Sequence, residues 1–277
     1  MVKSFIPKSY SETLEILSKE SVKIIAGGTD LMVQKRLWAD TLPRFEQDLI
    51  YVSGIDELKY VKEDESYILI GGLTPLEDVL HHSLTPVILK EAIVIMAGPG
   101  IRHTACIAGN IGNASPAGDS LPVLYALDAV VVLESIDGIR EVGIEDVIVG
   151  PRRTTIAVNE IIKEIKLPKL DFSNISFDKV GGRKADAISK VSFTGVANIV
   201  GGIVLDIRLS FGAVGPTIVR KLELEQKLIG KKVEDINIDK IVKSYSPFII
   251  PINDQRSNKE YRKQVALNLL KDFVSKL

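Results

Sequence analysis

IRHTACIAGNIGNASPAGD, at residues 101–119, is the segment around which the predicted architecture is built. It contains no large apolar side chain beyond isoleucine, and it is rich in Gly, Ala, Ser, Thr and Asn. Glycines such as Gly109 and Gly112 let a backbone press closely against a bulky group, and short polar side chains supply hydrogen bonds. A helix is predicted to start at Asp119, a cap residue with Pro122 shortly after it. Since helix N-termini attract anions, the segment predicts a phosphate-bearing cofactor.

A second glycine cluster, AGGTDL, stands upstream at residues 26–31. It follows a short apolar run and precedes a helical pattern from Leu31 to Trp38, so its glycines are predicted to turn a strand into a helix capped by Thr29 or Asp30. Two such turns favour a diphosphate. Neither matches the dinucleotide fingerprint or the P-loop, and turns that serve packing alone remain the alternative.

The composition excludes several classes of function. Thirty-five basic and 36 acidic residues give a formal net charge of -1, which argues against nucleic-acid or anionic-membrane partners. A single cysteine excludes disulfides, zinc ribbons and an iron-sulfur cluster held by this chain alone. We expect a cytoplasmic protein, since no apolar run is long enough for a signal core or a membrane span.

Helical and strand patterns alternate in the first part of the chain. Strands are predicted at Val22 to Ala26, Asp48 to Val52 and Ile68 to Gly72. Thr74 to Glu77 reads TPLE, which matches a capping box with proline at the first helical position. A polar link is predicted at Lys169 to Ser176, after the strand that Pro168 closes.

The second part of the chain predicts a long hairpin and three helices. Two strand patterns, Ala187 to Val200 and Ile203 to Ala213, flank Gly201-Gly202, which is a hairpin signal. In the last helix, Lys259 to Lys276, apolar residues four apart predict a core-facing surface, which is formed by Tyr261, Val265, Leu269, Phe273 and Leu277, with Leu270 and Val274 beside them.

No catalytic or metal-binding residue is predicted. His81, His82 and His103 are the histidines of the chain, and no HExxH, GxSxG or Cys-His-Asn pattern occurs. For His103, contact with a cofactor and a plain polar role in its loop are both open.

Five ordered blocks along the whole chain form one pattern: Ala26–Leu31, Ile101–Asp119, Gly182–Val191, Phe211–Arg220 and Pro251–Arg262. Together they resemble the FAD-binding medium subunit of molybdenum hydroxylases, the family of carbon monoxide dehydrogenase, xanthine dehydrogenase and aldehyde oxidoreductases. The chain departs from the family pattern at Cys106, where relatives carry Thr or Ser, at Ala108, where they carry Gly, and at Met96, where some carry an aromatic residue.

The resemblance implies an α+β fold. Residues 1–168 would be a two-lobed FAD-binding domain of the PCMH, or vanillyl-alcohol-oxidase-like, type, with lobes of 1–53 and 54–168. Residues 169–277 would be a smaller domain of antiparallel sheet plus helices, of the CO dehydrogenase flavoprotein type.

The resemblance also implies the function and the site residues. This chain would hold FAD without a covalent bond and pass electrons from iron-sulfur clusters to an external acceptor, in a heterotrimer with a large molybdopterin-binding subunit and a small iron-sulfur subunit. Molybdopterin and the clusters would lie on those partners only. The implied FAD-binding residues are Lys23, Ile24, Ile25, Ala26, Gly27, Gly28, Thr29, Asp30, Leu31, Gly72, Leu73, Met96, Ala97, Thr104, Cys106, Ile107, Ala108, Gly109, Asn110, Ile111, Gly112, Asn113, Asp119, Ile162 and Lys179.

Two other hypotheses stay open at this point. One is a self-contained FAD-dependent oxidase or reductase with its own substrate, which would need an acid, a base or a hydroxyl donor over the flavin ring. The other is a scaffold subunit that has lost its flavin, and Ala108 is the only residue that favours this hypothesis. For the complex, an aldehyde, carbon monoxide and a purine are all open as substrates, and NAD, a quinone and oxygen as acceptors.

Overall fold

A computed structural model of the chain describes residues 2–38 and 40–277. In chain order, the strands are β1 (Ser4–Phe5), β2 (Val22–Ile25), β3 (Asp48–Tyr51), β4 (Val61–Glu63), β5 (Tyr67–Gly71), β6 (Val130–Ser135), β7 (Gly138–Gly143), β8 (Ile148–Gly150), β9 (Arg153–Thr154), β10 (Ile161–Pro168), β11 (Asn174–Val180), β12 (Val191–Val200), β13 (Ile203–Gly212) and β14 (Val219–Arg220). The helices are α1 (Tyr10–Lys19), α2 (Leu31–Gln34), α3 (Leu76–His81), α4 (Val87–Val94), α5 (Pro99–Arg102), α6 (Ile107–Asn113), α7 (Ser120–Ala126), α8 (Ile144–Val147), α9 (Leu222–Glu225), α10 (Ile238–Tyr245) and α11 (Lys259–Ser275).

The first of two structural units contains a parallel and an antiparallel sheet. Strands β1, β3 and β2 form the parallel sheet in that order, and β4, β5, β10, β6 and β7 form the antiparallel one. Ile25 pairs with Tyr51 at the carboxyl ends of β2 and β3, so the segments that follow these strands start side by side. This unit consists of Met1–Thr85, Gly98–Ala114 and Ala129–Pro168.

The second unit is built on one antiparallel sheet, with strand order β11-β12-β13-β14. Helices α7 and α11 pack against β12. The core contains four aromatic rings. The ring centroid of Phe193 lies 5.0 Å from that of Phe211 and 5.8 Å from that of Phe273. Burial of these rings is a main source of stability for the unit. It consists of Pro86–Ala97, Ser115–Asp128 and Lys169–Leu277.

These elements confirm the predicted α+β composition and the hairpin turn at Gly201-Gly202. Gly201 and Gly202, between β12 and β13, have φ values of +59° and +75°, which favour glycine. Gly138 begins β7 directly after the turn from β6.

Three local predictions in the first unit are wrong. Helix α2 ends at Gln34 instead of Trp38, because exposed Leu37 and Trp38 have no apolar surface that would stabilise further turns. Thr74 is not a helix cap; its hydroxyl exchanges hydrogen bonds with the backbone of Tyr60, and Pro75 takes the N-cap position. The glycine-rich segment is not one loop, since it contains α5 and α6.

Two predictions in the second unit also need correction. The predicted polar link is partly a strand, because β11 begins at Asn174 and pairs with β12 despite its polar sequence. In α11, Leu270, Phe273 and Val274 are buried as predicted. Arg262 and Ala266 are buried as well and Tyr261 is exposed, so the core face is rotated toward the side of Leu270 and Val274. Arg262 occupies that face because its guanidinium pairs with Asp254 at 2.6 Å.

Among residues 2–38 and 40–277, no helix combines the length and the apolar content that a span across a bilayer needs. Within the same ranges, no group of three or more His, Cys, Asp or Glu side chains could hold a metal ion.

Candidate functional site

The first glycine turn joins β2 to α2 in the first unit. Gly28 has a φ of +66°, which a residue with a Cβ rarely adopts. A Cβ on Gly27 would overlap the carbonyl oxygen of Thr104, so the second glycine segment lies directly against this turn. Within residues 2–38 and 40–277, the N–H groups of Gly28, Thr29 and Asp30 have no acceptor. Asp30, one of the two predicted capping residues, takes the N-cap position of α2, but its side chain makes no capping hydrogen bond.

Cys106 links the two glycine segments. It is the N-cap of α6, and its Sγ accepts a hydrogen bond from the Gly109 N–H at 3.3 Å and another from the Gly27 N–H. The residue is 3% exposed. Burial raises the pKa of the Cys106 thiol, and the two N–H donors oppose that rise. The thiol therefore stays neutral and acts as a structural cap.

A set of polar side chains forms a second link between the same segments. Gln34 Nε2 donates to Asn113 Oδ1 at 2.8 Å and also to the carboxylate of Asp30. Asn113 Nδ2 donates to Asp30 Oδ2 at 2.7 Å. Asp30 and Asn113, both predicted FAD residues, are thus held next to each other, and Gln34 was missed by the sequence analysis.

The antiparallel sheet contributes one side of the site, which is formed by Gly72, Leu73 and Ile162. The Gly72 N–H donates to Lys163 O at 2.7 Å, and a Cβ on Gly72 would overlap the carbonyl oxygen of Ile162. Leu73 is buried, and its N–H donates to Leu58 O at 3.0 Å. Glycine at position 72 therefore lets two backbone segments touch.

One cleft of the first unit, about 110 Å³ in volume, opens between these segments. Five of its lining residues were predicted to bind FAD, namely Ala26, Gly27, Leu73, Thr104 and Cys106. The other lining residues are Ser53, Lys59, Pro75 and His103. No carboxylate is among them, so the cleft favours an anion.

Ser53 and Lys59 were missed by the sequence analysis, although a signal for them exists. Both follow β3, whose carboxyl end lies beside that of β2. Ligands of open parallel sheets bind where strands end, so residues after β3 are candidates once the pairing is known.

The remaining predicted residues belong to the second unit: Met96, Ala97, Asp119 and Lys179. Lys179 Nζ lies 2.7 Å from Asp119 Oδ2, and Ser189 Oγ lies 2.5 Å from Asp119 Oδ1. Asp119 thus precedes α7 without capping it, and its two oxygens are used inside the unit. Ala97 has a left-handed backbone with a φ of +51°. The assignment of these four residues to the cofactor stays a prediction.

Two tyrosine-glutamate pairs of the first unit carry shifted pKa values but do not line the cleft. The hydroxyl of Tyr10 donates to Glu134 at 3.0 Å and that of Tyr60 to Glu164 at 2.6 Å. Burial and then the adjacent carboxylates raise the pKa of both phenols, so both stay protonated. No acid-base group therefore faces the glycine turns through these pairs.

The comparisons with known proteins agree with this geometry. Residues 1–170 match the model of the FAD-binding domain in molybdopterin dehydrogenase, and residues 177–277 match that of the CO dehydrogenase flavoprotein C-terminal domain. The chain is similar to the glyceraldehyde dehydrogenase medium chain of Sulfolobus acidocaldarius, with 30% identity over 93% of this chain and 92% of the relative. It is also similar to the xanthine dehydrogenase FAD-binding subunit of Escherichia coli O157:H7, with 25% identity over 91% and 87%.

A solved structure gives the same result for the fold. Carbon monoxide dehydrogenase from Hydrogenophaga pseudoflava, in a form that lacks the Mo-pyranopterin moiety, matches with a TM-score of 0.90 and 25% identity, covering 99% of this chain and 96% of that one. The chain belongs to the family of FAD-binding domains in molybdopterin dehydrogenases. The predicted fold class, the resemblance, the FAD cofactor and the oxidoreductase class are thereby confirmed.

The residues of the first unit fit FAD. Three N–H groups at the first turn, which have no acceptor among residues 2–38 and 40–277, suit the oxygens of a diphosphate, and Gly27 lets the second glycine segment lie directly against that turn. Two of the three residues that depart from the family pattern lie in this unit, and they do not disturb the arrangement. Cys106 caps α6, and Ala108 lies buried within that helix.

Replacing Cys106 tests its role as a cap. Cys106→Ser should keep the flavin content and the stability, because a hydroxyl accepts the same N–H bonds. Cys106→Ala leaves the Gly27 and Gly109 N–H groups without an acceptor, which should lower the free energy of unfolding by about 1 kcal/mol. Equilibrium unfolding in urea measures this difference in the free energy of unfolding. Acid precipitation of the wild type and of Cys106→Ser should release all flavin; yellow colour retained only by the wild type would indicate a thioether and contradict the cap role.

Proposed function

We propose that this chain is the FAD-carrying electron-transfer subunit of a heterotrimeric molybdenum hydroxylase. The observation that carries the proposal is the cleft of the first unit, which is lined by residues of both glycine segments, one lysine and one histidine, and by no carboxylate. Such a site can hold FAD by its diphosphate, and it places no carboxylate where it could take a proton from an organic substrate. FAD, when bound, supplies uptake and release of one or two electrons.

The residues proposed to hold FAD have distinct tasks. The N–H groups at residues 28–30 bind diphosphate oxygens, while Gly27 and Gly72 keep the surrounding backbone segments in contact. The linked side chains of Asp30, Gln34 and Asn113 fix the two glycine segments relative to each other. The full set of residues named from the family resemblance is proposed as the site, together with the division at residue 168 and the lobes of 1–53 and 54–168.

The partners are proposed from the chain's own chemistry and from the names of its relatives. One cysteine cannot hold an iron-sulfur cluster, so electrons must reach this chain from clusters on a small iron-sulfur subunit. Relatives are named medium chains or FAD-binding subunits, and their family name refers to a molybdopterin dehydrogenase. Oxidation of the substrate is proposed on a large molybdopterin-binding subunit. The first substrates to test are aldehydes, because one relative is a glyceraldehyde dehydrogenase chain. A cytoplasmic location is proposed as well.

Anaerobic reduction of the flavin tests this proposal. With aldehydes alone, the absorbance of the isolated chain near 450 nm should stay constant, because the oxidation of the substrate is proposed to take place on the molybdopterin-binding subunit. Dithionite should bleach the flavin. When the chain is combined with molybdopterin and iron-sulfur subunits purified from the native source, aldehyde should bleach it too. Bleaching of the isolated chain by aldehyde would instead favour the self-contained oxidase or reductase, and a chain without flavin would favour the scaffold.

A further inference from the structure

Lys59 lines the cleft of the first unit, and its ammonium group has only a weak ion-pair partner. It follows the short 3-10 turn Asp56–Leu58, and its side chain is 31% exposed. Its Nζ lies 2.8 Å from Asp56 Oδ1, and the Asp56 side chain is 88% exposed. A pair with such an exposed carboxylate is weak and is easily exchanged for another anion.

None of the residues that line the cleft with Lys59 carries a negative charge, and its exposed ion-pair partner Asp56 is not among them. The residues that share the cleft with it are apolar or carry N–H, hydroxyl or imidazole groups. His103, on the same cleft, presents an imidazole that has an N–H donor in either protonation state. The cleft thus brings two side-chain donors to the place where Gly27 and Thr104 meet.

The pairing of β2 with β3 explains why Lys59 reaches the glycine turn. Since Ile25 and Tyr51 are register partners, the chain after β3 runs beside the chain after β2, and Ser53 and Gly27 line the same cleft. Leu73 N–H donates to Leu58 O, which ties the residue before Lys59 to the floor of the cleft. Lys59 is therefore placed by the backbone and not by its contact with Asp56.

We infer that Lys59 binds the diphosphate of FAD, with His103 as a second donor on the rim. This inference rests on FAD being the cofactor and adds two binding residues to the proposed site. A lysine ammonium is a compact point charge that suits phosphate oxygens, and it complements the backbone N–H groups of the adjacent turn. The ammonium offsets charge that the N–H groups alone would leave uncompensated.

The test is titration of the flavin-free full-length chain with FAD and, separately, with riboflavin, which has the same ring but no phosphate. Binding is followed by quenching of flavin fluorescence. Lys59→Gln should raise the Kd for FAD about tenfold and leave the Kd for riboflavin unchanged. It should also make FAD binding less sensitive to added salt. Lys59→Arg, which keeps the charge, should retain most of the affinity.

Two control variants make the result specific. Lys62→Gln removes the same charge from an exposed residue of β4 that packs on the ring of Tyr60 and does not line the cleft, so its Kd for FAD should equal that of the wild type. Asp56→Asn removes the surface partner of Lys59 and should leave FAD binding equal or tighter. Equal Kd values for FAD in Lys59→Gln and the wild type would overturn the inference while leaving the proposed function intact. A parallel loss of riboflavin binding would also overturn it. A wild type that binds no FAD would overturn the proposed function itself.

Discussion

Gly27→Ala is expected to lower the flavin content of the purified chain to less than about a tenth of the wild-type value, because overpacking of this kind costs 1–3 kcal/mol or more. The added Cβ would overlap the carbonyl oxygen of Thr104 and lie 3.1 Å from the Cα of Ala105. Both obstacles are backbone atoms, which cannot move aside as a flexible side chain can. The two glycine segments must therefore separate, and the Gly27 N–H loses Cys106 Sγ.

The measurement for Gly27→Ala is the ratio of flavin to protein after purification in excess FAD. The matched control is Gly54→Ala, at a position with no atom within 4 Å of the added Cβ, and it should keep its flavin. Circular dichroism separates loss of the site from loss of the fold. Wild-type flavin content in Gly27→Ala would mean that the contact between the two segments is not needed for binding.

Arg220→Met is expected to lower the free energy of unfolding by about 3–5 kcal/mol, because it leaves a buried carboxylate without its partner. In the second unit, the side chains of Arg220 and Glu225 are 7% and 4% exposed and lie 3.1 Å apart. Glu225 also accepts from the Leu209 N–H at 2.7 Å. Arg220 further donates to Asp128 and to the carbonyl oxygen of Tyr125, at the end of α7.

The pH dependence of this loss has a defined sign. Burial raises the pKa of Glu225, and Arg220 and the Leu209 N–H counteract that rise. Without Arg220 the pKa of Glu225 rises further, so the folded chain binds the proton more tightly than the unfolded chain does. The difference in the free energy of unfolding between the wild type and Arg220→Met should therefore shrink as the pH falls below the raised pKa of Glu225. It should grow as the pH rises through that pKa.

Chemical denaturation at several pH values measures both effects of Arg220→Met. The double variant Arg220→Met/Glu225→Met removes both charges and should recover most of the stability. Lys232→Met, which breaks an exposed pair with Glu234, should change the free energy of unfolding by less than about 0.5 kcal/mol. An Arg220→Met variant as stable as Lys232→Met would refute a stabilising role for the buried pair.

The cofactor class was predictable from the sequence because it depends on short contiguous patterns. AGGTDL and the segment after Ile101 carry the glycines and small polar residues that a diphosphate needs, wherever the rest of the chain lies. Lys59 was not predictable in this way. Its place at the cleft follows from the pairing of β2 with β3, which no local pattern encodes.

Two other errors come from partners that are distant in sequence. An arginine in a helix is normally assigned to the surface, yet Arg262 lies in the core face of α11 because Asp254 and the carbonyl oxygens of Lys190 and Ala213 receive its guanidinium. Asp119 looks like a helix cap, but Lys179 and Ser189 bind its carboxylate from residues 60 and 70 positions later in the chain.

Segments of the two units alternate along the chain, and this order affects folding during synthesis on the ribosome. Helices α4 and α7 belong to the second unit, but the ribosome makes them before β6 and β10 of the first. Strands β12 and β13, on which α7 packs, follow more than sixty residues after that helix. The apolar surface of α7 is therefore synthesised before β12 and β13, the strands that cover it. A nascent chain halted before β12 would carry that surface exposed, which makes it a natural client for a chaperone.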